Sequence, residues 1–553
     1  MERKYIITAF LVGFLYRLLI GVQGIDSVDS GFSNTFFQNI FYYPEAMPYN
    51  YNYYLTGLLG GVWNKCLGML GMQGFRILEA LTLSAAIMFM YLAFRSRITS
   101  THIAVVAILA SFLFPSIVST FHYNTLSFLF IAIALYCYSL FLDKQKKVFL
   151  LLSGIAIGIG FFARIVNMSL LGLCMVPVLS GMMNQDMRHG VRRAALLFAG
   201  IVSGCLCMVG VMAALGHLPY FLTALADDFG FVTGTENSHG SGNLLFVYLK
   251  SYVNIGLQVL AFCVFYLLYL GGQRLSTGWS RLVNVMLAVL TLALVLTSLP
   301  YLSAIALCIL LCSVLLMQST TDEDHASLVL FALVATLLFP LGSDIGIPGI
   351  FHWVAGLLIF PAATFWPQAT SDQRRAMTLC CVVIALSMVG RTVGSVYGEE
   401  ASRLQCIERV QVRHLNTLTE PQKAETLRHI IGRINRYGVE NHWLVLGNQA
   451  SELYYATAHV PFLGNTQVDT YRGEGLAMKL DERYSAVGQA PVIVFLYDSY
   501  HQGENDADIQ EVLTQWMQNH DYGVAFTDSI LTIYQTEEEI AAYKQKLKQL
   551  KHK

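Results

Sequence analysis

The sequence predicts an α-helical polytopic membrane protein of about thirteen transmembrane helices with a soluble α/β domain at its carboxyl end. Three observations carry this: composition, the distribution of charge, and the sidedness of the basic loops. Of 553 residues, 55% are hydrophobic and 13% charged, against about 25% charged in a soluble globular protein. Ala104–Phe114, Leu126–Leu142, Ala194–Leu215 and Leu282–Leu299 carry no charge at all, whereas charge returns at ordinary density after Glu399. A boundary near residue 398 follows, dividing a membrane domain, 1–398, from a polar domain, 399–553. The net charge of −1 comes with no dominant basic patch, so nucleic acid is not an expected partner.

A helix needs about 20 apolar residues to cross the hydrocarbon. That rule places spans near 5–22, 75–94, 102–120, 124–142, 148–163, 165–183, 194–215, 251–270, 281–299, 301–318, 326–341, 349–367 and 376–396. The first follows Met1-Glu-Arg-Lys with no small-residue cleavage site after it, so it reads as an uncleaved helix. Lys and Arg concentrate on cytoplasmic loops. With the amino terminus inside, Arg95–Arg97, Asp143–Lys147, Arg188–Arg193, Gln273–Arg281 and Gln373–Arg375 all become inner loops. The sixth inner loop, Ser319–His325, is the exception: it is acidic, and acidic residues weigh little in this rule. Tyr54–Met72 holds Gly57, Gly60, Gly61, Asn64 and Lys65. Treating it as a crossing would move every later basic loop outside, so it is expected to lie flat as an amphipathic helix in the first outer loop, 23–74. Thirteen crossings then put a long loop, 217–250, and the carboxyl domain outside as well.

Of the eleven cysteines, only Cys406 belongs to the polar region. No metal-type cysteine pair occurs, and the thiols read as small buried residues.

Charged side chains within or beside spans are expensive and mark function. On this topology they gather on the outer rim. Asp26 and Asp29 follow the first span, and Arg76 opens the second. His122, Tyr123 and Asn124 form the turn between the third and fourth spans; Arg164 and Asn167 form the next outer turn. Asp227 and Asp228 sit in the loop 217–250, and Asp344 and His352 flank the turn at Gly342–Gly349. Arg76 and Arg164 would equally serve by snorkelling to headgroup phosphates. The acidic pair is harder to dismiss, because the loop around it is rich in Tyr and Phe, which stack on sugars as well as belting an interface. Gly154-x-x-x-Gly158 reads as a helix-packing motif.

These residues resemble the GT-C superfamily of membrane glycosyltransferases, which includes protein O-mannosyltransferases and lipid A aminoarabinose transferases. The resemblance lies in Gly24-Ile-Asp26-Ser-Val-Asp29-Ser-Gly-Phe, the surface helix Tyr54–Leu70, Gly74-Phe-Arg76-Ile-Leu, His122-Tyr-Asn-Thr-Leu-Ser and Ala163-Arg-Ile-Val-Asn167. The chain departs from the pattern in carrying Asp-x-x-Asp in place of an adjacent Asp-Glu, and in lacking a Trp-Trp-Asp motif in its carboxyl domain. The resemblance implies transfer of a sugar from a polyprenyl-phosphate donor to a glycan, lipid or protein acceptor, outside the cytoplasm at a bacterial inner membrane.

Such chemistry asks for a carboxylate to take the acceptor proton and a cation to offset charge on the departing phosphate. The resemblance assigns Asp29 as base, Asp26 as its helper or a metal ligand, and Arg164 or Arg76 to the phosphate. His122, Tyr123, Asn124, Asn167, Asp228 and Asp344 become candidate substrate contacts. Asp26 and Asp29 are also a candidate ligand set for a divalent ion, Mg or Mn. The rival readings are a secondary transporter, which calls for broken mid-membrane helices, and a non-catalytic glycan-assembly or flippase-like protein.

The polar domain alternates helix and strand. Glu400–Leu415 and Glu420–Tyr437 read as helices, His442–Leu446 and Pro491–Tyr497 as strands, and Ile509–Gln518 as a helix. Residues 522–534 read as a hairpin and Glu537–Lys553 as an amphipathic tail helix. No phosphate-loop or dinucleotide fingerprint is present.

Overall fold

A computed structural model describes residues 2–26, 28–113, 120–233, 241–272, 300–318, 322–343, 346–437, 442–447, 450–468, 473–497 and 506–551. In lipid a backbone must satisfy its own hydrogen bonds, so apolar runs become helices. Every expected span within the described residues falls largely on helix; 281–299 and the 114–119 portion of the span 102–120 lie outside them. The amino-terminal elements are α1 (Glu2–Gly21), α2 (Asp29–Asn39), α3 (Tyr54–Leu67), α4 (Met72–Phe94), α5 (Ser100–Phe112), α6 (Tyr123–Lys144) and α7 (Lys147–Gly160). Then come α8 (Met175–Met183), α9 (Met187–Ala214), α10 (Leu218–Thr233) and α11 (Ser241–Gly272). They are followed by α12 (Pro300–Gln318), α13 (Glu323–Leu338), α14 (Ile347–Ala363) and α15 (Ser371–Gly394). Among the described residues seven helical segments are long and apolar enough to cross a membrane, and three shorter ones are apolar. The chain is a multi-pass membrane protein.

Glycine sets the closest helix contact. A Cβ on Gly158 would lie 2.1 Å from the Ile201 carbonyl oxygen, and one on Gly200 would lie 2.3 Å from that of Leu151. Thus α7 and α9 approach backbone to backbone, as the Gly-x-x-x-Gly spacing predicts.

The first outer loop contains more helix than the sequence suggests. Asp29 opens α2, which is buried along most of its length, and α3 then lies where the surface helix is expected. The loop 217–250 is not open coil either: it holds α10 and the first turns of α11. His217 packs between Tyr51 and Tyr54, with ring centroids 5.8 Å away in each case, and its Nδ1 meets the Tyr54 hydroxyl at 3.2 Å. That contact fastens the start of α10 to the first loop.

In the carboxyl domain the expected helix at Glu400–Leu415 is instead an antiparallel hairpin, β1 (Glu408–Val412) with β2 (Leu415–Thr419). The reason is period: Leu415, Thr417 and Thr419 alternate inward, a strand pattern with Val and Thr content to match. Helix α16 (Pro421–Ile434) follows, then β3 (Trp443–Leu446), α17 (Ser451–Thr457), α18 (Gly473–Val487), β4 (Val492–Leu496) and α19 (Asp506–Asn519). β5 (Tyr522–Thr527), β6 (Leu531–Thr536) and α20 (Glu537–Lys551) complete the chain. The larger sheet runs β3-β4-β6-β5, with β3 and β4 parallel and the rest antiparallel. Its β3, β4, the β5/β6 hairpin and the flanking helices match the sequence expectation; α17 and α18 carry no clear signal in the sequence.

The hairpin docks on the membrane domain. Gly24 N–H donates to the Leu418 carbonyl at 2.7 Å, and Leu418 N–H donates to that of Val22 at 3.1 Å. The segment leaving the first span therefore pairs with β2. The first loop and the carboxyl domain occupy one side of the bundle.

Candidate active site

Asp26 and Asp29 take different roles at the start of α2. The buried Asp26 carboxylate accepts Val28 N–H at 3.1 Å and Ser30 N–H at 2.6 Å, satisfying donors that a helix amino terminus otherwise leaves open. Asp29, the first residue of α2 and half-buried, accepts the Tyr397 hydroxyl on Oδ2 at 2.9 Å. Tyr397 lies just past α15. Burial first, then the charges of Asp29 and Asp26, hold its phenol well above the usual range.

The carboxyl domain frames this pair. A Cβ on Gly398 would sit 2.5 Å from the Asp26 Cα, and Gly398 has φ +76°, a conformation that favours glycine. Glu399 Oε1 accepts Ile25 N–H and the Thr419 hydroxyl, each at 2.6 Å. Lys423 Nζ donates to the carbonyls of Ile25 at 2.8 Å and Gly398 at 2.6 Å.

Arg76 is buried and held within the scaffold. Its guanidinium donates to the carbonyls of Gly21 and Gly24 and, at 2.5 Å, to the Thr417 hydroxyl. It thereby ties the carboxyl end of α1 to the turn before the acidic motif and to β2.

Tyr123 joins the acidic loop to the basic one. It stacks on Tyr53 with centroids 4.4 Å apart. Tyr53 in turn meets Phe32, one turn along α2 from Asp29, at 5.9 Å. Arg164, buried between α7 and the helical run Ile165–Cys174, donates to Asn124 Oδ1 at 2.9 Å and to the Leu341 carbonyl at 2.7 Å. Asn167 donates to Ser127 Oγ at 2.7 Å and to the Gly160 carbonyl at 3.0 Å. His122 caps α6 by accepting Asn124 N–H on Nδ1 at 3.3 Å, and its buried Nε2 has no hydrogen-bond partner. Burial, helped by the Arg164 charge, pushes its pKa down to about 3, so the imidazole stays neutral. The structure thus gathers Asp29, Tyr123, Asn124 and Arg164 in one neighbourhood, with His122 and Asn167 behind them. Asp228 lies on α10 with its side chain outside the described set, and Asp344 lies outside the described residues. His352 is directed elsewhere, to the Leu113 carbonyl.

A buried carboxylate beneath this turn escaped the sequence reading. Glu79, in the second turn of α4, accepts the Thr125 hydroxyl at 2.6 Å, and Trp353 Nε1 donates to the same Thr125 oxygen at 3.1 Å. Arg17 is its attractive charged neighbour. The signal was legible, since an acidic residue inside an apolar span is a functional flag in its own right. Tyr397 left no such trace, because only tertiary packing brings it to Asp29.

At the acidic pair, backbone amides already engage the Asp26 carboxylate that a divalent ion would share. Both Asp26 oxygens accept backbone amides, and among the described residues no three His, Cys, Asp or Glu gather as metal ligands.

No protein-family model matches the chain, and no curated protein matches it by sequence. Solved structures do match. ArnT from Cupriavidus metallidurans, bound to undecaprenyl phosphate, aligns with a TM-score of 0.51 at 13% identity, over 96% of this chain and 97% of ArnT. The archaeal oligosaccharyltransferase AglB from Archaeoglobus fulgidus, in complex with an inhibitory peptide and a dolichol-phosphate, aligns with a TM-score of 0.50 at 12% identity. That alignment covers 90% of this chain and 69% of AglB. At such identities the likeness shows the fold alone, and it spans membrane bundle and carboxyl domain together: the chain shares the fold of ArnT and AglB.

Proposed function

We propose that this protein is a membrane glycosyltransferase that moves a sugar from a polyprenyl-phosphate donor to an acceptor on the extracytoplasmic face of a bacterial inner membrane. The observation that carries the reading is the run of contacts from Asp29 to Arg164: Phe32, one turn along α2 from Asp29, meets Tyr53, Tyr53 stacks on Tyr123, and the next residue, Asn124, accepts from Arg164. Glycosyl transfer needs a base and a phosphate-binding cation around one small volume. Support comes also from the neighbours, ArnT bound to undecaprenyl phosphate and AglB to a dolichol-phosphate.

In this reading the acceptor hydroxyl attacks the anomeric carbon while Asp29 takes its proton. The bond from that carbon to the phosphate oxygen breaks with its electron pair, and the polyprenyl phosphate leaves. Arg164, held by Asn124 and the Leu341 carbonyl, is the cation that stabilises the charge developing on the phosphate. Tyr53, Tyr123 and Phe32 supply aromatic faces for the sugar. Asp26 shapes the loop and Arg76 braces it.

The test uses membranes carrying the full chain, supplied with undecaprenyl-phosphate mannose or undecaprenyl-phosphate aminoarabinose. Release of undecaprenyl phosphate that depends on Asp29 and Arg164 supports the reading. Release unchanged in both Asp29→Asn and Arg164→Ala contradicts it.

A further inference from the structure

We infer that Tyr397 is a positioning residue: its hydroxyl, donated to Asp29 Oδ2 at 2.9 Å, fixes the plane of the carboxylate that receives the acceptor proton. This rests on the proposed role of Asp29 as base and adds to it a group from the far end of the membrane domain, 368 residues away in sequence.

An aspartate at the first position of a helix has its backbone fixed, but its carboxylate still rotates about two side-chain bonds. A base must present an oxygen to the acceptor in line with the proton it takes, and errors of about 1 Å cost on the order of 100-fold in rate. One directional donor on Oδ2 removes that freedom. The donor must itself be fixed, and here it is. Tyr397 sits on the link between α15 and the carboxyl domain, immediately before Gly398, whose backbone is pressed against Asp26. Beyond it, Glu399 is anchored to Ile25 N–H and the Thr419 hydroxyl, and Lys423 grips the Gly398 carbonyl. The contacts that dock the domain therefore also aim the phenol.

The phenol suits this role because an ordinary tyrosine hydroxyl is protonated at neutral pH, a standing donor that gives no proton to the reaction. In the step itself the acceptor proton passes to Asp29, the glycosidic bond forms at the anomeric carbon, and the phosphate leaves with the electrons of the broken bond. Tyr397 remains bonded to Oδ2 throughout.

Tyr397→Phe removes the hydroxyl and keeps the ring. Release of undecaprenyl phosphate from undecaprenyl-phosphate mannose and aminoarabinose is measured in full-length protein, beside Asp29→Asn and the double variant. The expected result is a kcat about 10- to 100-fold lower with KM within about threefold and an unchanged melting temperature. In the Asp29→Asn background the second substitution then adds no further loss, and Tyr397→His, which keeps a ring donor, recovers part of the rate. A Tyr397→Phe rate equal to wild type while Asp29→Asn is inactive overturns the positioning role alone. Full activity in Asp29→Asn overturns the base assignment and the positioning role with it. If Tyr397→Phe lowers the melting temperature, its loss must persist below that temperature and vanish in the Asp29→Asn background; losses that multiply instead overturn the inference.

Discussion

Lys423 Nζ lies 2.8 Å from the carbonyl oxygen of Ile25, across 398 residues of sequence, and the same ammonium stands 3.8 Å from Glu399 Oε1. Both side chains are buried, at 2% and 0% exposure, so this is a desolvated pair whose worth lies in its added hydrogen bonds. It joins the carboxyl domain to the residue just before the acidic motif. The domain is accordingly part of the site's wall.

Lys423→Met leaves the Glu399 carboxylate buried without its cation and removes the donor from two carbonyls. Breaking a buried pair by deleting one partner costs about 3–5 kcal/mol. A lowered melting temperature is expected, together with protease sensitivity in the link after α15. Wild-type melting in detergent would contradict the clamp.

Gly31 gives a steric version of the same test. A Cβ there would meet Glu452 N at 2.1 Å and the Ser451 carbonyl carbon at 2.3 Å, both backbone atoms that cannot swing aside. Gly31→Ala is therefore expected to destabilise the packing of α2 on α17 by about 1–3 kcal/mol. Gly432→Ala is the control. It lies on the exposed side of α16 with nothing within 4 Å of the added carbon, and alanine there is expected to stabilise by up to about 1 kcal/mol. Thermal melts of the two variants should move in opposite directions.

Arg164 tests the phosphate assignment. Its two terminal nitrogens reach separate acceptors, Asn124 Oδ1 and the Leu341 carbonyl, a geometry that a single ammonium does not reproduce. Arg164→Lys is expected to lower kcat/KM for an undecaprenyl-phosphate sugar by about 100-fold, with Asn124→Ala causing a smaller loss. Equal activity in Arg164→Lys and wild type would remove Arg164 from the phosphate site.

The pH response of the carboxyl domain has a local source. Burial pushes the Asp528 carboxyl up, but the N–H groups of Ile530 and Leu531 and the His429 side chain, 2.7 Å away, outweigh it and hold Asp528 below the usual range. A carboxylate depressed in the folded state stabilises it above the unfolded value of about 3.9. That contribution fades as pH falls through the folded value. Melts between pH 6 and pH 3 should therefore lose less in Asp528→Asn than in wild type. Parallel acid dependence in the two would contradict the assignment.

How much of this was legible beforehand depends on the physics behind each feature. The helices of the bundle were readable because lipid demands about 20 apolar residues in a row. Tyr54–Leu67 was expected at the surface because counting it as a crossing would move every later basic loop outside. Asp29, Tyr123, Asn124 and Arg164 were grouped in the sequence because the expected topology assigns them to one rim. The separate duties of Asp26 and Asp29 did not, because two backbone amides and one distant hydroxyl decide them. Arg76 illustrates the same limit: an arginine at a span's start suits a phosphate, and only the folded chain reveals Gly21, Gly24 and Thr417 around it. Glu400–Leu415 suggests a helix because the polar, charged residues of its Glu408–Val412 strand obscure a period of two.

The most direct measurement is the release of undecaprenyl phosphate from undecaprenyl-phosphate mannose and aminoarabinose by the full-length protein in membranes that supply the acceptor hydroxyl, compared with Asp29→Asn in the same membranes. The account predicts turnover with at least one donor and a fall of about 10²–10⁴-fold on substitution, with the melting temperature kept. Turnover that survives Asp29→Asn undiminished would contradict it.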